Sequence, residues 1–190
     1  MKKKLIILLA VAGCIVLFLA LTSYHAGPWR GQVIDAETKQ PIEGAVVVAV
    51  WEKWSYLPLG PYVDNVDAKE TVTDKNGEFV IQEHRMLQLP VIRRIKGPLL
   101  TIFKPEYGYF PRHHVSPDIS RYTTYGYIPL FLGKGPIVEL RKWKTTGERW
   151  QNILFPGFDD IPEKKYKLLI QATNEECKQL GIPPHSIEEE

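Results

Sequence analysis

The sequence offers one pair of residues at the spacing that hydrolytic zinc sites use. His185 and Glu188 form its His-x-x-Glu motif, which would need a distant third histidine to complete a zinc site. Both residues lie in the tail HSIEEE at the end of the chain, and we expect this acidic tail to be frayed. Because metal ligands need surrounding groups that orient them, the sequence predicts no zinc centre here.

Two adjacent histidines, His113 and His114, are the next candidates for metal binding. On a strand they would point to opposite faces, whereas on a loop they could join His84 and Asp118 in one site. A pair of imidazoles in a loop is usually solvated, and the chain has neither a Gly-x-Ser-x-Gly motif nor a glycine-rich phosphate loop. The sequence therefore predicts no catalytic residue, no metal, no cofactor and no enzymatic activity.

Three long connections lie between the predicted strands, at 52–70, 82–97 and 109–136, and aromatic residues are concentrated in the first and the third. Exposed aromatic rings stack on sugars and anchor protein partners, so these connections hold the candidate ligand or partner surface. Its predicted members are Trp54, Tyr56, Tyr62, Tyr122, Tyr125 and Tyr127. The alternative, which is favoured because aromatic residues are usually buried, is that the rings fold back over the sheet edges.

The first element of the chain is an apolar segment. Residues 5–22 (LIILLAVAGCIVLFLALT) form an uncharged run of 18 residues that follows Lys2, Lys3 and Lys4. A helix of this length is just long enough to cross the hydrocarbon core of a bilayer. Because positive residues stay on the cytoplasmic side, the sequence predicts a cytoplasmic N-terminus and places the rest of the chain in the periplasm or outside the cell.

Three interpretations of this run compete: an uncleaved anchor, a cleaved secretory signal, and a lipoprotein signal whose cysteine is acylated. Cleavage is poorly supported, because Tyr24 stands where a small residue is required before a cut at Ala26. Val11-Ala-Gly-Cys14 resembles a bacterial lipobox, although apolar IVLFLAL follows Cys14 where processed lipoproteins usually continue as polar chain. The anchor is favoured and lipidation at Cys14 is the alternative. Both tether the protein to a membrane.

Composition and charge exclude several classes of protein. The 190 residues are 44% hydrophobic with 14 glycines and two cysteines, unlike a disordered chain, a collagen-like chain or a disulfide scaffold. The net charge of +2 belongs to the N-terminal lysines, because without those three the chain has 21 basic and 22 acidic side chains. A nearly neutral folded part has no basic stripe for phosphates, which excludes nucleic acid as the expected partner.

From Trp29 onward, short runs rich in Val, Ile, Thr and aromatic residues alternate with Gly, Pro, Asn and Asp, which predicts a mainly β fold. The run 45–51 (AVVVAVW) is apolar throughout, so we expect a central strand covered on both faces. Asn76 and Gly77 predict a tight hairpin turn with both residues left-handed, between strands at 71–73 and 78–81. Further strands are predicted at 29–34, 99–103 and 137–140.

Several separated motifs occur in a recognisable order: GQVID at 31–35, PIEGAVV at 41–47, TDKNGEF at 73–79, IFKPEYG at 102–108 and VEL at 138–140. Together they resemble the carboxypeptidase regulatory-like domain, a seven-stranded, Greek-key, transthyretin-like β-sandwich. The resemblance covers roughly residues 29–142. It implies a folding module of the kind found as an accessory domain on peptidases, receptors and secreted proteins, and the matched residues include no nucleophile and no metal ligand.

The composition changes after Arg141, and one helix is predicted near the C-terminus. The segment 160–163 (DIPE) resembles a capping box ahead of a helix that runs to about Leu180 and ends at Gly181. Its apolar stripe, predicted to pack on the sandwich or on a partner, consists of Tyr166, Leu169, Ile170, Thr173, Cys177 and Leu180. Cys177 cannot pair with the membrane-embedded or acylated Cys14, so we expect no intrachain disulfide and a buried Cys177.

The sequence thus predicts an N-terminal signal-anchor or lipoprotein signal at 1–26, a regulatory-like β-sandwich at 27–142, and a C-terminal extension with one α-helix at 143–190. The expected function is that of a non-catalytic, membrane-tethered module of the cell envelope, acting in protein interaction or structural support. The alternative is a carbohydrate- or small-ligand-binding module that uses the aromatic connections, and a hydrolase is the least favoured. The expected partners are the membrane and an envelope protein.

Overall fold

The computed structural model describes residues 2–58, 60–87, 93–112, 135–155, 157–158 and 160–185. The strands are β1 Ser23–Ala26, β2 Trp29–Asp35, β3 Val46–Leu57, β4 Gly60–Val72, β5 Glu78–Ile81, β6 His84–Leu87, β7 Arg93–Phe103 and β8 Ile137–Leu140. The helices are α1 Lys2–Leu21, α2 Thr146–Gln151 and α3 Lys167–Leu180, with a 3₁₀ turn at Glu163–Lys165. The prediction of a mainly β fold is confirmed.

The predicted N-terminal helix is present as α1. Within the described residues, however, no helix combines the length and the apolar character that crossing a membrane requires. At the end of α1 the hydroxyl of Thr22 donates a hydrogen bond to the carbonyl oxygen of Phe18 at 2.8 Å. β1 begins at the next residue, so α1 joins the β structure without an intervening linker.

Two three-stranded sheets form the body of the fold, in the orders β5-β2-β8 and β4-β3-β7. In the first sheet β2 is antiparallel to β5 and parallel to β8, with Val33 opposite Val138. In the second sheet β3 is central and antiparallel to both of its neighbours. β1 and β6 form a separate two-stranded sheet; the described part of residues 27–142 contains seven strands, β2 to β8, and β1 precedes that range.

The two three-stranded sheets share one hydrophobic core. On β3, Val47, Ala49 and Trp51 belong to this core and have no exposed surface, and Val33 of β2 joins the same cluster. The alternate residues of β3 point to the opposite face, as the two-residue period of a strand requires, and they are buried as well. The prediction that 45–51 is a central strand covered on both faces is therefore confirmed.

α3 covers the outer face of the β4-β3-β7 sheet. Leu169 and Ile170 have no exposed surface, and they cluster there with valines of β3 and with Phe103 of β7. The predicted apolar stripe is confirmed, including the burial of Cys177. The predicted end of the helix is also confirmed, because Gly181 adopts the left-handed conformation with φ of 69°.

The start of α3 differs from the prediction. The helix begins at Lys167, and neither it nor the preceding 3₁₀ turn has a side-chain cap from the segment 160–163. Instead the carboxylate of Glu70 on β4 accepts hydrogen bonds from the backbone amides of Leu168 at 2.9 Å and Leu169 at 3.3 Å. The prediction of a local capping box was wrong, because a residue distant in the chain supplies the negative charge at the helix N-terminus.

The predicted hairpin at 74–77 is a turn between the two sheets. The segment does reverse the chain, since the amide of Gly77 donates to the carbonyl oxygen of Asp74 at 2.8 Å. The strands on either side do not pair with each other, because β4 pairs with β3 and β5 pairs with β2. Gly77 has a φ of 71°, but Asn76 is not left-handed, so the hairpin prediction was wrong in both its pairing and its turn conformation.

Two of the three predicted long connections are strands. Residues 52–57 continue β3, residues 60–70 belong to β4, and 82–97 contains β6 and the first part of β7. Neither segment contains a continuous apolar run like the one at 45–51, and exposed strands share a mixed polar and apolar composition with loops. Of the third connection, residues 113–134 lie outside the described part of the chain.

The C-terminal extension contains a short helix, α2, that was not predicted. Thr145 and Glu148 form a capping box at its start. Arg149 then forms a buried ion pair with Glu176 of α3, through Nε at 2.8 Å and Nη2 at 2.7 Å from the carboxylate oxygens. The same carboxylate accepts the backbone amide of Glu106 at 2.8 Å, so this contact joins both helices to the segment that follows β7.

Candidate functional site

The outer ends of β3, β4 and β7 extend the second sheet beyond the shared core. We call residues 52–64 and 93–96 the aromatic arm. The arm begins where the register of β3 shifts against both neighbours, between Trp51 and Glu52 toward β4 and between Val50 and Glu52 toward β7. Such irregularities increase the local twist and redirect a strand, which separates the arm from the packed part of the sheet.

The predicted aromatic residues of this region lie on paired strands and not on loops. Trp54 of β3 lies opposite Val63 of β4 and Arg94 of β7, and Tyr56 points to the same face two residues further on. Tyr62 of β4 lies opposite Ser55 of β3 on the other face. Tyr56 and Tyr62 are exposed, so the favoured expectation of burial does not hold for these two rings, and the placement of all three residues in connections was wrong.

Trp54 is engaged within the arm. Its indole Nε1 donates a hydrogen bond to the carboxylate of Glu52 at 2.8 Å. The ammonium group of Lys96 lies 3.6 Å from the centre of its ring, which is a cation–π contact. One face of the Trp54 ring is therefore already covered by a neighbouring side chain.

Tyr56 and Tyr62 present the exposed aromatic surface of the arm. Their side chains keep 47% and 58% of their surface accessible. A hydrogen bond with the Asp64 carboxylate, together with its negative charge, raises the pKa of the Tyr62 hydroxyl. Asp64 also forms an ion pair with Lys53 at 2.7 Å on that face. Exposed rings flanked by charges make the outer arm an amphipathic surface.

The other predicted members of the aromatic surface, Tyr122, Tyr125 and Tyr127, lie outside the described residues. The same holds for His113, His114, Asp118 and Glu188, so the predictions that involve them stay predictions. Within the part of the chain that the structure describes, no group of three His, Cys, Asp or Glu side chains is arranged to hold a metal ion.

His185, predicted to lie in a frayed tail, is held in place. Its backbone amide donates to the side-chain oxygen of Asn174 at 2.7 Å, and the Asn174 amide nitrogen donates back to the His185 carbonyl at 2.9 Å. Its ring Nε2 lies 2.6 Å from Glu163. The prediction of fraying was wrong at this residue because a side chain of α3 pairs with its backbone.

His84 lies in the interior beside β3. Its ring stacks on Trp51 with centroids 4.1 Å apart, and Nε2 lies 3.2 Å from a carboxylate oxygen of Asp67 at an angle that makes no hydrogen bond. Burial lowers the pKa of His84, the charge of Lys69 lowers it further, and the Asp67 charge opposes both. Lys165 pairs with Asp67 at 3.0 Å and weakens that opposition. A neutral, buried imidazole with this packing is a structural residue.

α1 exposes apolar side chains in every direction around its axis. Ten of its large apolar residues keep 52–67% of their surface accessible: Leu5, Ile6, Ile7, Leu8, Leu9, Val11, Ile15, Val16, Leu17 and Phe18. Cys14 is also exposed on this helix, so the predicted lipidation position is accessible. A single apolar stripe would pack on a protein core, whereas this surface surrounds the helix.

The chain matches no family model, no curated protein and no solved structure.

Proposed function

We propose that this protein is a non-catalytic, membrane-attached module of the cell envelope that acts in protein interaction or structural support. The observation that carries the proposal is the surface of α1. A helix that is apolar all round and uncovered by protein is favourable in lipid, because in water every one of its faces would expose apolar surface. The cationic segment Lys2–Lys4 ahead of the run fits a cytoplasmic N-terminus.

A transthyretin-like, regulatory-like fold for residues 27–142 belongs to this proposal. Two sheets that share a core support it, and so do the turn residues of the motifs. Gly44 has a φ of 69°, and Asp74 accepts the backbone amides of Asn76 and Glu78 at 2.8 and 2.9 Å. Gly44 and Asp74 thus stabilise turns, and His84 is buried and neutral. These roles favour a non-catalytic module.

Membrane attachment is tested by flotation and carbonate extraction of the full chain. We expect the protein to float with vesicles and to stay with them at high pH. Val11→Lys together with Ile15→Lys should release it, since a lysine at the centre of an inserted helix costs about 2.5–3.5 kcal/mol. Phe155→Lys, at an exposed apolar residue outside α1, is the matched control and should leave attachment unchanged. Extraction of the unaltered chain by carbonate would contradict the proposal.

The mode of attachment has two forms, an intact anchor and an acylated Cys14. Mass spectrometry of the membrane-extracted protein distinguishes them. An intact anchor gives the mass of the unprocessed chain, and acylation adds a lipid mass that Cys14→Ser abolishes.

The interaction role is tested by cross-linking in living cells followed by purification of the full chain. A consistent envelope protein should be recovered. Repeated recovery of none, with the hydrodynamic radius of a monomer in detergent, would contradict this part of the proposal.

The carbohydrate-binding alternative has less support in the arm. Tyr56 and Tyr62 project from opposite faces, and one face of Trp54 is covered by Lys96, so these three rings do not form one stacking platform. A glycan array probed with the purified protein tests this alternative, and specific binding lost in Tyr62→Ser would revive it.

A further inference from the structure

We propose that the tip of the aromatic arm inserts into the headgroup layer of an anionic phospholipid bilayer and so fixes the orientation of the β domain on the membrane. This inference rests on the proposed attachment through α1. It goes further because it assigns a lipid-binding role to β3, β4 and the start of β7, which α1 alone does not require.

We call residues 54–63 the tip of the aromatic arm, and this segment has no charged side chain over its whole length. Residues 54–63 read WSYLPLGPYV and contain no acidic or basic side chain. Of its described residues, Tyr56, Tyr62 and Val63 are exposed, whereas Ser55, its one hydroxyl-bearing residue apart from the tyrosines, is buried. The exposed tyrosine and valine side chains lose unfavourable contact between apolar surface and water when they enter a bilayer interface, where tyrosine is enriched.

Tyrosine and arginine occur together on both faces of the arm. Tyr56 shares a face with Arg94, which lies opposite Trp54, and Tyr62 shares the other face with Arg93, since both lie opposite Ser55. A protein partner that docks on one face would leave the other pair in water. A lipid interface surrounds a strand tip and contacts both faces at one depth, so the two-sided arrangement favours lipid as the occupant.

The charge of the arm complements an anionic surface. It has four basic residues, Lys53, Arg93, Arg94 and Lys96, and two acidic ones, Glu52 and Asp64. Lys53 pairs with Asp64, and Lys96 lies over the Trp54 ring beside Glu52. Both arginines are exposed at the beginning of β7. Each basic side chain near an anionic bilayer surface strengthens the electrostatic attraction between the protein and the bilayer.

The arm starts close to the point where α1 leaves the fold. The hydroxyl of Tyr24 donates a hydrogen bond to the carbonyl oxygen of Gly97 at 3.0 Å, and Gly97 directly follows the arm residue Lys96. Tyr24 is three residues after the end of α1, a distance of at most about 11 Å along the chain. The base of the arm therefore lies near α1, and β3 extends roughly 17 Å further, from Glu52 to Leu57.

The test places an environment-sensitive fluorophore at the tip of the full chain. Pro58→Cys in a Cys14→Ser background carries the label, because the remaining Cys177 is buried. A label at Lys144→Cys is the matched control, since Lys144 pairs with Glu37 beyond the far end of β2. Each labelled protein is reconstituted in vesicles of phosphatidylcholine with and without phosphatidylglycerol. Flotation is scored first, and quenching by a spin-labelled lipid second.

We expect quenching at position 58 and none at position 144, with stronger quenching at 58 in the phosphatidylglycerol vesicles. Arg93→Gln and Arg94→Gln should each lower the equilibrium constant for insertion of the tip about fivefold in those vesicles. Lys142→Gln, a basic residue at the opposite end, should leave it unchanged. Tyr56→Ser with Tyr62→Ser should lower insertion in both kinds of vesicle.

Three results would overturn the inference. One is a floated protein whose label at 58 stays unquenched. Another is quenching that neither arginine substitution alters. The third is an equally shielded label in detergent without phospholipid, which would assign the tip to a protein contact. Failure of the unaltered chain, with Cys14 in place, to float is a different result, and it would refute the proposed function itself.

Discussion

Replacing Arg149 by methionine removes the cation from the buried ion pair that joins α2 to α3. The Glu176 side chain is 4% exposed and that of Arg149 is 16% exposed, so solvent cannot take the place of the lost partner. The Glu176 carboxylate accepts three hydrogen bonds from protein groups, and two of them come from this guanidinium. The Glu176 hydrogen bond and charge raise the pKa of Arg149, although burial opposes this.

The expected loss follows from those contacts. Breaking a buried pair by removing one partner typically destabilises a protein by about 3–5 kcal/mol, because an uncompensated charge stays buried. The double variant Arg149→Met with Glu176→Leu removes both charges and leaves the backbone amide of Glu106 without its acceptor. That group alone costs about 1–3 kcal/mol, so the double variant should be more stable than the single one.

The assay is urea unfolding of the full chain in detergent, followed by tryptophan fluorescence and circular dichroism. Lys144→Met breaks an ion pair whose side chains are both more than half exposed, and it should change the free energy of unfolding by less than about 1 kcal/mol. A loss below about 1 kcal/mol for Arg149→Met, or a double variant less stable than the single one, would refute the interpretation of this contact as a buried ion pair.

Three further predictions concern the β fold. Burial lowers the pKa of His84 in the folded state. The free energy of unfolding should therefore be highest above the unfolded pKa of about 6.5, and it should fall as the pH drops below that value. His84→Phe should reduce this acid sensitivity in pH-dependent urea titrations, and an unchanged slope would contradict the assigned burial. Thr73→Val should cost about 2–3 kcal/mol in urea unfolding, because the buried hydroxyl donates to Ile42 at 2.6 Å and accepts from the Ala45 amide at 2.8 Å. Gly77→Ala should lower the melting temperature, since φ is 71° and a Cβ would lie 2.3 Å from a carbonyl oxygen of β2; an unaltered melting temperature would show that the turn differs.

Local sequence pattern predicts well the elements whose buried residues follow a continuous or regular spacing along the chain. The apolar run of β3 and the three-and-four spacing of α3 each indicate their environment directly. The turn at 74–77 was recognised from Asn76 and Gly77, but which strands it joins depends on pairing with β2 and β3, which no local signal encodes. The sequence did not predict that the strands of the arm pair with one another, because exposed strands and loops have similar polar and aromatic composition.

The contacts that organise the C-terminal extension were unpredictable for a similar reason. Glu70 caps α3 from almost a hundred residues away, and Arg149 pairs with a glutamate on another helix. A short-range signal did exist for α2, since Thr145 and Glu148 have the spacing of a capping box. Of the candidate surface, Tyr56 and Tyr62 were identified by residue type, while their positions on opposite faces required the observed register.

The parallel pairing of β2 with β8 has a consequence for the order of events after synthesis. Asp35 lies opposite Leu140, so the ladder closes a loop of more than a hundred residues. Closing a loop of that length costs conformational entropy before the stabilising contacts between the strands can form. Folds with such pairings therefore form slowly. Until the ribosome has released residue 140, β2 lacks a neighbour on one side and offers an open edge to other chains. The first sheet is therefore completed only after nearly the whole fold has been translated, when a chain held at its N-terminus by α1 would already be confined to a membrane surface.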